Sequence, residues 1–248
     1  MTDKTPWEML KSSLDFVEKM VGHHWMEDWV HIMRNNFGRV GQDIPPLAFR
    51  WLKAKDELAA AEFTGQLSFS PSTLHTIQLG KYMEILDNAI GFTNQLPLLK
   101  NTASFYTSCF RLAVAAAYKQ RGNRLALLFG QHTPDIELHT THGTIAIITQ
   151  TVTANSFGEL LATLPNELEN ALTKLPAMGI VYLELPLPAE HFSSLVPKIK
   201  DTCRNFSIPN HTAVVLASAT TVNHAPWGVD YVFLPLFNDE TYTDSLLL

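Results

Sequence analysis

The apolar residues change period after Asn101, and no other feature limits the fold as much. Up to that point, and for one helix beyond it, apolar side chains recur at three- and four-residue steps. Afterwards they gather into short, β-branched runs bounded by turn residues. Residues 102–120 read as a helix with Phe105, Cys109, Leu112 and Ala116 on one line and Tyr106, Phe110, Ala113 and Ala117 on the next, a face wide enough for heavy burial. Apolar runs follow at 125–129, 136–139 and 145–152, separated by connections too short for crossovers, which predicts an antiparallel meander. Ser156 and Glu159 form a capping box that opens a helix to about residue 175, where Pro165 is expected to kink or restart it. A strand at 180–185, a helix carrying Phe192, Leu195, Val196, Ile199 and Cys203, and strands at 213–217 and 231–234 complete the chain. Pro197 in that helix calls for a start close before it. Helical crossovers predict parallel pairing for the later strands.

The first hundred residues read as helix and loop. Thr5, Pro6 and Glu8 make an N-terminal cap, and Trp7, Leu10, Leu14, Val17 and Val21 form one stripe that Gly22 ends. A second helix bears Trp25, Trp29 and Ile32 and stops near Asn35-Asn36-Phe37-Gly38. A third opens at Pro45-Pro46, and a fourth covers about 72–90 with Gly80 as an expected interruption. Trp7, Trp25, Trp29 and Trp51 lie on apolar stripes and are expected to be buried. Two regions result, a helical one over 1–100 and an α/β one over 101–248.

Charge and cysteine content narrow the function. The net charge is −6 and the pI is near 5.9. Proteins that coat nucleic acid displace counterions with Lys and Arg, so this balance disfavours such coating. Charged residues make up only 17% of the chain, which suits a surface covered by a protein partner or a second copy. Arg111, Lys119, Arg121 and Arg124 form one small basic group and Lys198, Lys200 and Arg204 another; both read as solvated helix faces. Cys109 and Cys203 lack metal-ligand spacing and read as reduced, buried thiols. The first residues do not resemble a signal peptide, and no apolar run is long enough for a membrane span, so a cytoplasmic location is expected.

Several groups have the chemistry of a site. His23, His24, Glu27, Asp28 and His31 crowd one helix, where His24, Asp28 and His31 share a face, as do His23, Glu27 and His31. Imidazole and carboxylate are good metal ligands, but the His-Glu-x-x-His spacing is absent, and a polar face beside Trp25 and Trp29 is the favoured reading. Asp135, Glu137 and His139 alternate, so a regular strand would aim all three one way as candidate metal ligands, flanked by His132 and His142, with Glu184 on a nearby strand. The other reading of that alternation is the charged, exposed side of an edge strand. No Gly-x-Ser-x-Gly elbow, Walker loop or dinucleotide fingerprint is present.

The order helix–strand–strand–strand–helix–strand over residues 102–220, with Pro134-Asp135 opening the second strand, resembles the core of the PD-(D/E)XK, or restriction-endonuclease-like, nuclease superfamily. The resemblance implies a mixed β-sheet flanked by helices. It also implies a metal-binding role for Asp135, and an acid and a lysine two residues apart on the third strand. That alignment puts Ile148 at the acid's position and Gln150 at the lysine's. Isoleucine binds no metal, and residues 102–120 offer no acid. The implied protein is therefore a degenerate member that needs no cofactor and works by binding or as structure. The alternative is a metal-dependent nuclease, using Mg²⁺ or Mn²⁺, with a rearranged site around Asp135. A third reading is a helical interaction module joined to an unrelated α/β domain.

Overall fold

The computed structural model describes residues 6–35, 44–130, 133–141, 143–176, 179–187, 189–204, 206–238, 242 and 246–248. Helices come first: α1 (Pro6–Val21), α2 (His23–Asn35), α3 (Pro46–Thr64), α4 (Pro71–Leu86) and, after a 3-10 turn at Phe92–Gln95, the short α5 (Leu96–Lys100) and the long α6 (Phe105–Gln120). Strands β1 (Arg124–Leu127), β2 (Ile136–Thr140) and β3 (Gly143–Thr151) follow. Then α7 (Phe157–Leu172), β4 (Gly179–Glu184), α8 (Ala189–Thr202), β5 (Thr212–Val222) and β6 (Gly228–Phe237) complete the order. The expected caps at Thr5 and the break at Asn36-Phe37-Gly38 lie outside the described residues.

Among the described residues six strands form one sheet in the order β1-β2-β3-β4-β5-β6. β1, β2 and β3 are the expected antiparallel meander. β4 is parallel to β3 and β5 parallel to β4, because a helix carries the chain back each time. β6 is antiparallel to β5, joined by the short link 223–227. The alternation of strand side chains divides the core. Ile145, Ile147, Ile180 and Tyr182 face α6 and the N-terminal helices, while Ile148, Val181, Leu183 and Val214 face α7 and α8. Pro197 falls well inside α8 rather than in its first turn, and Pro165 lies within α7, so both helices run on through their prolines.

The boundary expected at residue 100 falls between a helical stretch and one that mixes helices with strands, but the core runs across it. One continuous cluster joins Val17, Trp51, Met83 and Leu86 to Phe110, Ile147, Val215 and Leu247. A second places Trp227, from the β5–β6 link, among Leu10, Leu58, Phe69 and Ile77. Trp51 and Trp227 are buried, while Trp7, Trp25 and Trp29 are half-buried. Among the described residues, no helix is long and apolar enough to cross a membrane.

Gly80 does not interrupt α4 as the sequence suggested; the helix is continuous through it. Its role is close approach, since a Cβ there would fall 2.1 Å from the Ser13 carbonyl oxygen of α1. Gly80→Ala is therefore expected to cost about 1–3 kcal/mol, because two backbones must separate, and to do so despite alanine's better helix propensity. Urea unfolding checks this; an unchanged midpoint would mean that α1 shifts freely.

Candidate functional site

The Pro-Asp site is built where α6 crosses the start of β2. Asp135 stands one residue ahead of the β2 ladder, with its N–H donating to the Ile147 carbonyl (2.9 Å) and its own carbonyl accepting from Leu128 (2.9 Å). Alternation does not extend to it, and its carboxylate turns towards α6. There Oδ1 pairs with the Arg111 guanidinium. Oδ2 accepts from the Thr149 backbone N–H (2.6 Å) and from the Thr149 hydroxyl (2.8 Å). The Arg111 side chain in turn donates to Gln95 (2.9 Å), whose amide donates to the Leu128 carbonyl (2.9 Å). Gln95 is fully buried, and the Arg111 and Asp135 side chains are only 14% and 16% exposed.

This geometry corrects three expectations. Ile148 and Gln150 lie on the face opposite Asp135. Ile148 packs among the α7–α8 residues, and Gln150 donates to Glu167 on α7 (2.9 Å). The residues two apart on the Asp135 side are Thr149 and Thr151, a slip of one residue that exchanges the faces. Secondly, Ile136 and Leu138 fill the core under α6, so Glu137 and His139 point away from it, and the three proposed metal ligands do not converge. Among the described residues, no three His, Cys, Asp or Glu side chains stand close enough to hold an ion. His132 and His142 lie outside the described residues. Thirdly, Arg111 is a buried partner rather than part of a solvated basic face, and Arg121 donates to the Leu247 carbonyl (2.6 Å).

The donor set does not fit Mg²⁺ or Mn²⁺. Such ions need carboxylates or phosphates to offset dehydration. Among the described residues, the carboxylate here, that of Asp135, already faces a guanidinium, and the Thr149 and Thr151 side chains on its side of the sheet are neutral hydroxyls.

A second site lies at the carboxyl ends of β3, β4 and β5, the parallel strands of the mixed sheet, a place where ligands of α/β proteins commonly bind. A cavity of about 470 Å³ opens there between the sheet and helices α3, α4 and α6. Its floor carries Glu184, whose Oε2 accepts from Thr151 (3.0 Å) and Oε1 from the Tyr231 hydroxyl (3.0 Å). Burial raises the Glu184 carboxyl above the ordinary range, and the two hydroxyls and then the Arg50 charge partly offset this. Arg50 of α3 lies over the rings of Phe105 (5.4 Å) and Tyr106 (5.1 Å). Among the described residues no carboxylate lies within 4.0 Å of its nitrogens. His75 of α4 is held down to about 4, chiefly by burial and then by the Arg50 charge, so it is neutral at pH 7. Burial pushes the Cys109 thiol up to about 12, which makes it inert as a nucleophile. Of these residues, the sequence singled out only Glu184 as chemistry.

The His23 cluster is an exposed helix face. His23 pairs with Glu18 and, at 2.9 Å, with Glu27; His31 meets Asn35 at 3.0 Å. The bond to Glu18 and the charge of Glu27 raise the His23 pKa.

Comparison with family models, curated proteins and solved structures gives no match to this chain.

Proposed function

We propose that this chain is a nuclease-fold protein that has lost metal-dependent cleavage and works by binding. The observation that carries the reading is the Arg111–Asp135 pair, in which a guanidinium occupies the charge-balancing role a divalent ion would otherwise take. The order α6-β1-β2-β3-α7-β4, with β1 to β4 adjacent in that sequence across the sheet, supports the resemblance to the PD-(D/E)XK core. Thr149 and Thr151 supply neither a negative ligand nor a positive charge for the phosphate. Lost electrostatic groups of this kind cost about 3–4 kcal/mol each, so two together slow cleavage by a factor of about 10⁴ or more. The charge-poor surface, with Phe49, Phe63, Ile90 and Phe129 exposed, favours a protein partner or a second copy over nucleic acid.

The test is incubation with single- and double-stranded DNA and RNA in Mg²⁺ or Mn²⁺. The expected result is no cleavage above that of an Asp135→Ala control. Cleavage that disappears in Asp135→Ala would establish the rearranged nuclease instead.

A further inference from the structure

We infer that the cavity over Glu184 is a binding site for a small aromatic monocarboxylate, with Arg50 receiving the carboxylate. The inference is independent of the nuclease reading, since no residue of the Asp135 network lines this cavity.

Size comes first. A cavity of about 470 Å³ lies within the range of small-molecule pockets. Its walls are largely rings and aliphatic carbon, with Tyr82, Phe105, Phe110 and Tyr231 among them. Flat faces of this kind pack best on a flat, apolar body. Charge then selects the polar group. Arg50 is held by aromatic stacking and a long contact of 3.5 Å to the Tyr106 hydroxyl; its charge acts on Glu184 from beyond ion-pair distance, so among the described residues its guanidinium fork has no carboxylate in direct contact. A guanidinium fork matches a carboxylate in two parallel hydrogen bonds. The choice of a monoanion over a phosphate rests on three side chains. Among the described residues Arg50 is the only cationic side chain lining the cavity at neutral pH, because His75 is uncharged there. Glu184 on the floor is an acid and offers no positive charge to a second negative group. A dianion would therefore meet one positive charge and one acid.

The probes are 2-naphthoate and its neutral counterpart 2-naphthamide, titrated into the full chain by calorimetry at pH 7. Wild type is expected to bind 2-naphthoate saturably at one site and to prefer it over the amide by about tenfold, as a charge-assisted bidentate contact gives. Arg50→Gln is expected to abolish the preference while leaving weak binding of the amide, and Arg50→Lys to restore part of it. Ala219→Phe, which fills the cavity from β5, is expected to weaken both probes. Circular dichroism establishes that each variant is folded. Equal affinity of wild type for the two probes, or no saturation by 2-naphthoate, would overturn the inference without reference to any variant. So would a preference that persists in folded Arg50→Gln.

Discussion

Arg111→Leu is expected to destabilise the protein by about 3–5 kcal/mol at pH 7, because it leaves the Asp135 charge buried without a counterion. Thr149 keeps both of its bonds to Oδ2, so the loss is the compensation of charge rather than the whole hydrogen-bond network. Gln95 also loses its donor while remaining fully buried. Adding Asp135→Asn to Arg111→Leu is expected to recover part of the loss, since a neutral amide removes the uncompensated charge. Denaturant midpoints of the two single variants and the double variant measure the coupling. A loss below about 1 kcal/mol for Arg111→Leu would place the pair with solvated surface ion pairs and remove the ground for reading it as a substitute for a metal.

The second large effect is expected from His75 in acid. Its folded pKa, about 4, lies below the ordinary imidazole value of 6.5. The unfolded chain therefore takes up a proton from about pH 6.5 downward while the folded chain leaves His75 neutral. The stability this confers is fully present above pH 6.5 and is lost as pH falls towards 4. Its size is about 2 kcal/mol lost at pH 5 and about 3 kcal/mol at pH 4. His75→Leu removes the proton uptake. The difference in unfolding free energy between wild type and His75→Leu should shift by about 2 kcal/mol in the variant's favour between pH 7.5 and pH 5. A difference that stays constant with pH would mean His75 titrates as though in water.

The order of elements was legible from the chain because each rests on local signals. The period of apolar residues distinguishes helix from strand, and short links separate antiparallel from crossover connections. Register was not legible. Asp135 precedes the ladder, and no period-two argument reaches a residue outside it, so Ile148 and Gln150 were aligned where Thr149 and Thr151 stand. The role of Arg111 does have a local signal. It sits between Phe110 and Leu112 on a helix apolar almost all round, where a charge needs a partner. The cavity had little signal at all. Arg50, His75 and Glu184 are far apart in the chain and meet only because α3 and α4 cover the carboxyl edge of the sheet.

That covering arrangement also governs how the molecule acquires its structure. Lys81 on α4 donates to the Trp227 carbonyl (2.5 Å) across 146 positions of sequence, and Asn223 holds the backbone of Phe69 from 154 positions away. Contacts this remote raise the contact order, and loop closure on that scale must be met before the contact rewards it. During synthesis α1 to α4 emerge first, yet their own apolar cluster lacks Trp227 until the β5–β6 link has been made. Helices α1, α3 and α4 therefore wait, with an apolar face uncovered, for the far end of the sheet. A nascent chain in that state is open to association with its neighbours.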